Sequence, residues 1–237
     1  MSSLTWLDTT PSTNSVIRDG AYQHGDGVAT LNQTEGRGRI GRQWVELPGR
    51  GLALSVKLDP RRLEVNGPLT LVPLIAGVAL VDVIERESPA ARLWVKWPND
   101  VYLGDHKVSG VLTELVEPGT MVVGIGVNVS HSVAELALPT ATSLSIHGIN
   151  LDPEALAEQW VQHFLALLDT LGTDELLDHV RRRLGLVGEQ VTVDMPDNSV
   201  IEGTVIELEA TGALTVDDGK QRHTVLAGDV RTLRPRT

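Results

Sequence analysis

Leu93-Trp94-Val95-Lys96-Trp97-Pro98-Asn99-Asp100-Val101-Tyr102-Leu103-Gly104-Asp105-His106-Lys107-Val108-Ser109-Gly110-Val111-Leu112-Thr113-Glu114-Leu115 is the most informative stretch of this chain. Leu93 to Trp97 reads as a strand broken at Pro98-Asn99-Asp100, and Val101–Leu103 with Val108–Leu115 reads as a hairpin turning at Gly104-Asp105. Upstream, Pro68 to Glu85 predicts a buried helix, and Leu52, Leu54, Val56 and Leu58 alternate with Ala53, Ser55 and Lys57 as in a half-buried strand. Val28 to Asn32 predicts another strand, and Thr9 to Asn14 offers N-cap residues for a short helix through Val16 and Ile17. Downstream, Met121 to Val129 is strand-like. Asp152-Pro153 opens an amphipathic helix carrying Leu156, Trp160, Phe164 and Leu168, and Thr173 starts another that ends at Gly185 or Gly188. Strands and helices interleaved in this way predict an α/β (α+β) fold with a mixed central sheet and flanking helices. From 189 to 235 the pattern changes to short β-rich runs, Val191–Val193, Val200–Glu207, Ala213–Val216, His223–Leu226 and Val230–Leu233, which predict a small antiparallel barrel. The expected division is an α/β unit at 1–187 and a β unit at 188–237.

The chain has 237 residues, 41% of them hydrophobic, with 20 Lys+Arg against 31 Asp+Glu and a net charge of −11. It can bury a core, and its acidity argues against a general nucleic-acid or anionic-membrane binder. Any phosphate chemistry must then sit in a local basic pocket. With no cysteine there is no disulfide framework, zinc-thiolate site or thiol nucleophile, which fits a cytoplasmic setting. The N-terminus lacks a signal-peptide pattern. The longest apolar run, Leu69 to Ile84, contains Pro73, Gly77 and Asp82 and falls short of the ~18–20 residues that span a bilayer. The seven histidines show no metal-ligand spacing, and Arg181-Arg182-Arg183 suits the last turn of a helix, where cations favour the dipole.

Basic residues concentrate in Gln33-Thr34-Glu35-Gly36-Arg37-Gly38-Arg39-Ile40-Gly41-Arg42-Gln43-Trp44. Glycines let the backbone approach a ligand, and interleaved arginines focus positive charge on an anion. The formal Gly-x-Gly-x-x-Gly match is not a dinucleotide fingerprint, because Pro48, Gly49 and Gly51 preclude the helix that must follow. By itself the segment is either an anion cradle or a solvated or RNA-contacting loop, its arginines expected to be unpaired without a ligand. Likewise Asp100 and Lys107 either face one pocket or decorate a surface hairpin.

These two segments, in this order and about 60 residues apart, resemble the signatures of the biotin protein ligases. Ser12-Thr13-Asn14 and Gly124-Ile125-Gly126-Val127-Asn128 are similar to that family's remaining elements, so the resemblance covers nearly the whole chain. It implies activation of biotin with ATP as biotinyl-5′-AMP, then transfer to a lysine of a biotin carboxyl carrier domain of acyl-CoA or pyruvate carboxylase. By the same resemblance Ser12, Thr13, Asn14, Gln33, Gly36, Arg37, Lys107 and Gly110 bind biotin, and Arg37, Arg39, Arg42, Trp44, Lys107 and Asn128 bind ATP or adenylate. Lys107 and Arg39 are the expected catalytic groups and Asp100 the expected ligand of Mg²⁺. Arg231 and Arg234 are left outside the site. Met1 begins almost directly at the catalytic unit, so no helix-turn-helix and no repressor function are expected. No nucleic-acid or membrane partner is expected, and the protein is either a monomer or a weak homodimer. The competing readings are a lipoate or octanoate ligase on the same fold, and a non-catalytic binder of biotin or nucleotide.

Overall fold

The computed structural model describes residues 3–116 and 119–232. Strand β1 (Leu4–Leu7) leads through α1 (Thr13–Asp19) to β2 (Gly27–Thr30), which pairs with β1 in parallel. Then come β3 (Gly51–Leu58), α2 (Pro60–Glu64), α3 (Val72–Glu87), β4 (Leu93–Lys96), β5 (Asp100–Leu103), β6 (His106–Val116) and β7 (Thr120–Asn128). The remaining pairs are antiparallel, giving a mixed seven-stranded sheet in the order β1-β2-β3-β7-β6-β5-β4. Helices α4 (Pro153–Leu168) and α5 (Asp174–Arg183) precede an antiparallel five-stranded sheet of β8 (Gln190–Asp194), β9 (Val200–Leu208), β10 (Leu214–Asp217), β11 (Arg222–Val225) and β12 (Asp229–Thr232). This second sheet agrees with the small antiparallel barrel expected there and is consistent with an SH3-like domain. Leu233 and Arg234 lie outside the described residues.

The two faces of the large sheet have different partners. Met121, Val123, Ile125 and Val127 of β7 join the main apolar core with α3 and α4, whereas Val122 packs with Ile17 of α1. Because α1 covers that second face, β3 is buried on both sides rather than half-buried: Ala53 and Ser55 are as inaccessible as Leu52 and Leu54. The expected helix from Pro68 begins later, Leu69–Leu71 forming a 3₁₀ turn before α3, whose first turn holds Pro73. Strand β1, unforeseen from sequence, is a short edge strand.

One buried apolar cluster runs through both sheets, from Leu80 and Trp160 to Val191, Val205 and Leu214. Polar links reinforce it, Trp97 Nε1 donating to Gly212 O (3.0 Å) and Arg181 Nε to Leu208 O (2.9 Å). A second network joins α3, α4 and α5. Asp82, 7% exposed, accepts from His163 Nε2 (2.9 Å), His179 Nε2 (2.7 Å) and Arg183 Nη2 (2.7 Å), and Arg183 Nη1 also reaches Glu85 (2.6 Å). Arg183 therefore does more than complement a helix dipole. Burial raises the Asp82 pKa, but the hydrogen bonds from His163 and His179 and the nearby charges outweigh it and leave the carboxyl below its ordinary value.

Replacing Asp82 by Ala should lower stability by about 3 kcal/mol at pH 7, since it removes the buried carboxylate that His163, His179 and Arg183 share. Asp82 is held ionised, so its contribution is present above the ordinary carboxylate pKa and fades as pH falls through the depressed one. Urea denaturation of both proteins at neutral and acidic pH measures this, with the gap narrowing in acid.

Candidate active site

The cleft forms on the face of the sheet that carries α1. Antiparallel pairing aligns Lys96 with Asp100, Asp100 with Gly110, Gly110 with Gly126 and Gly126 with Ala53, so this row crosses the sheet on one face. Lys107 is three residues from Gly110, and in a regular strand such residues point to opposite faces. Here β6 bulges. Val101 and Tyr102 are consecutive but face Ser109 and Lys107, leaving Val108 as the extra residue. Val108 goes into the apolar core, and Lys107 reaches the cleft, its Nζ 2.6 Å from Asp100 Oδ1 in an ion pair. A Cβ at Gly110 would sit 3.1 Å from that Nζ. The Lys107 backbone pairs with the 140–142 segment, through Thr140 O (2.9 Å) and Thr142 N (2.8 Å).

The arginine loop closes over this floor. Its arginines are paired rather than free, because neighbouring carboxylates are within reach. Arg37 Nη2 donates to Glu114 Oε2 (2.8 Å), which also accepts from Asn14 Nδ2 (2.7 Å), tying loop, α1 and β6 together. Arg39 Nη1 donates to Asn99 Oδ1 (3.0 Å) and lies 3.9 Å from Asp229 Oδ1, while Arg42 pairs with the other oxygen of Asp229. The second sheet thus supplies a carboxylate to the loop. Trp44 lies on the glycine pair: a Cβ at Gly126 would be 2.4 Å from its ring and one at Gly110 3.4 Å. Gly36 does not line the cleft; a Cβ there would meet Trp44 O at 2.2 Å and Gln33 Nε2 at 2.8 Å, so its lack of side chain lets the loop fold back.

At the end nearest α1, Ser12 is at the N-cap position yet makes no side-chain cap bond, so its hydroxyl is not committed to capping. Thr13 N donates to Gln33 Oε1 (2.9 Å), which orients the amide. Ser55 Oγ lies 2.6 Å from Asn14 Oδ1 and 2.7 Å from Thr13 Oγ1. Having one proton, Ser55 can donate to only one of them. Asn128 is buried at the opposite end, its Nδ2 donating to Thr142 O (3.0 Å). The cleft encloses about 800 Å³ and brings together every expected site residue except Gly36. It also takes in Lys96, Asn99, Asp229 and Arg231, which sequence reasoning had not placed there.

Charge within the cleft is finely opposed. Burial lowers the Lys96 pKa, Asp100 and Asp229 raise it, and Lys107 adds to the fall, for a net decrease. Its Nζ sits 3.3 Å from Tyr102 Oη, and burial pushes that phenol up to about 12. Behind Trp44, Glu46 accepts the indole N–H (2.9 Å), and burial raises its pKa to about 7 against the indole and the Gln33 backbone N–H.

The sequence profile of the Biotin/lipoate A/B protein ligase family matches residues 6–130. A biotin–[acetyl-CoA-carboxylase] ligase of Mycobacterium tuberculosis is 32% identical over 88% of this chain and 80% of its own length. This chain belongs to the Biotin/lipoate A/B protein ligase family. Another ligase relative, the bifunctional ligase/repressor BirA of Escherichia coli, is 32% identical over 74% of this chain but only 56% of its own length. Among solved structures, the biotin protein ligase from Aquifex aeolicus in complex with biotin and ATP superposes with a TM-score of 0.86 at 27% identity, covering 99% of this chain and 100% of that one. In this ligase chain no helix among the described residues is long and apolar enough to cross a membrane.

The buried Glu46 gives a pH-dependent stability. Its folded pKa is raised, so its contribution is intact below the ordinary value near 4.5 and is lost as pH climbs through about 7. The interval of about 2.5 units corresponds to about 3 kcal/mol. Glu46→Gln should therefore gain stability relative to the native chain on going from pH 5 to pH 8, by up to that amount. Thermal unfolding at the two pH values checks it; an equal difference at both would mean that Glu46 is not desolvated.

Proposed function

We propose that this protein is an ATP-dependent biotin protein ligase that acts in the cytoplasm. A carboxylate oxygen of biotin attacks the α-phosphorus of ATP, the bond to the β-phosphate breaks, and biotinyl-5′-AMP and pyrophosphate form. The ε-amine of a carrier lysine then attacks the acyl carbon and AMP leaves. The observation that carries this reading is the convergence of Lys107, Lys96 and Arg39 on one side of a cleft whose protein is otherwise strongly acidic. Two anions must be joined, and cations aimed at the charge that moves lower the barrier.

Lys107 is assigned to the carboxylate, the bridging oxygen and the α-phosphate, since its ammonium already pairs with a carboxylate there. Arg39 and Arg42 exchange Asp229 for polyphosphate oxygens, with Arg37 held at the cleft mouth by Glu114. Ser12, Thr13, Asn14 and Gln33 suit a ureido ring, being a few polar groups on an otherwise apolar wall. Gly110 leaves room for the ligand's tail, and Gly36 acts from outside the cleft by letting the arginine loop fold back. Trp44 and Asn128 are assigned to the adenylate, Asn128 through its Oδ1 because its Nδ2 is engaged. Among the described residues no group of three or more His, Asp or Glu side chains gathers at a metal-sized site. That suits Mg²⁺ held by Asp100 and chiefly by ATP oxygens, where it would neutralise polyphosphate charge. Residues 1–187 form the catalytic unit and 188–237 a β unit that presents Asp229 to it. The carrier is the biotin carboxyl carrier domain of a carboxylase.

The test is ATP–pyrophosphate exchange with biotin or lipoate added. Exchange should require biotin and be absent with lipoate, and Arg39→Ala should raise KM for ATP on the order of tenfold, as for loss of a charge-assisted hydrogen bond. Exchange with lipoate alone would reassign the substrate, and none with either would remove the ligase reading.

A further inference from the structure

Glu46 has no part in the chemistry above, yet its position is tightly defined. Its Oε1 holds the Trp44 indole at 2.9 Å, while Oε2 is buried with no hydrogen bond of ordinary geometry. Space for it depends on Gly51, where a Cβ would stand 3.3 Å from Glu46 Cγ and 3.3 Å from His131 Cε1. On its other side the indole rests on Gly126 and Gly110, and Lys107 Nζ lies 5.6 Å from the ring centroid. Glycines beneath a ring fix its height and leave its rotation free. The hydrogen bond from Nε1 to Glu46 determines which edge faces the cleft.

We propose that Glu46 is a positioning residue that sets the orientation of Trp44 for nucleotide binding. This rests on the reading that Trp44 flanks the adenylate. An ionised carboxylate holds an indole N–H more strongly than a neutral carboxyl does, so the ring is held best when Glu46 is charged. The groups facing it from neighbouring elements are His131, whose Nδ1 is also buried without a partner, Lys107 across the ring, and the backbone N–H of Gln33. Burial lowers the His131 pKa, and beyond it Arg50 and Glu135 pair at 3.4 Å. Protonation of Glu46 loosens Trp44 and weakens ATP binding as pH falls from 8 to 6.

Intrinsic fluorescence of the full chain isolates Trp44 among the five tryptophans when the spectrum of Trp44→Phe is subtracted. The Trp44 signal should titrate with a midpoint near 7, keep that step in His131→Gln and lose it in Glu46→Gln. In steady-state kinetics Glu46→Leu should raise KM for ATP several-fold with kcat within about twofold. Glu46→Gln, which keeps an acceptor oxygen, should restore most of the lost affinity and flatten the dependence of KM on pH. A step that survives in Glu46→Gln, or that vanishes in His131→Gln, overturns the proposal. So does an unchanged KM in Glu46→Leu when Trp44→Phe raises it. If Trp44→Phe alters KM for neither ATP nor biotin, the assignment of Trp44 to the nucleotide fails instead. Should Glu46→Leu not fold, the fluorescence step in Glu46→Gln still decides.

Discussion

Strand β6 carries one residue more than β5 between Lys107 and Gly110, and this bulge decides what the cleft can do. With strict alternation Lys107 would lie on the apolar face covered by α3 and α4, where an ammonium carries a large desolvation penalty. The extra residue sends Val108 into that core and turns Lys107 to the opposite face, beside Asp100. The same face then presents Gly110 and Gly126 side by side, an uncovered patch of sheet on which Trp44 can lie. Position of the cation, openness of the floor and placement of the wall thus have one geometric origin.

The cleft is held ready by paired charges. Glu114 joins Arg37 and Asn14, Asp229 joins Arg39 and Arg42, and Asp100 joins Lys107. In an acidic protein these carboxylates hold basic groups together that would otherwise repel, and they are contacts that an incoming polyanion can replace. Asp229 comes from the second sheet, whose apolar residues are continuous with the main core, so the C-terminal unit contributes directly to the cleft.

Much of this was legible in sequence. The hairpin at Gly104-Asp105, the helices from Pro153 and Thr173 and the β-rich tail follow from periodicity and turn chemistry, and the residues of the arginine loop and of the Lys96–Glu114 segment do converge. Other features leave no local trace. A bulge is invisible where both Val108 and Ser109 can sit in a core. Contacts such as Arg42 with Asp229, 187 residues apart, depend on how the sheets meet. The Asp82 cluster joins Asp82 of α3 to His163 of α4 and to His179 and Arg183 of α5, so no single helix carries all of it. Glu114 stood within the quoted segment, and its role emerged only when α1 and the loop came within reach of it. The half-buried reading of β3 failed because alternation reports the polarity of a face, and Ala53 and Ser55 are small enough to be covered by α1.

The account turns on Lys107 acting where charge moves, and Lys107→Ala tests that directly when biotin affinity by calorimetry is compared with single-turnover formation of biotinyl-5′-AMP. Loss of a cation used chiefly in the transition state should slow adenylation on the order of 10²–10³-fold while weakening biotin binding far less. Equal losses in both would show that Lys107 only holds the ground-state carboxylate, and an unchanged rate would contradict the account.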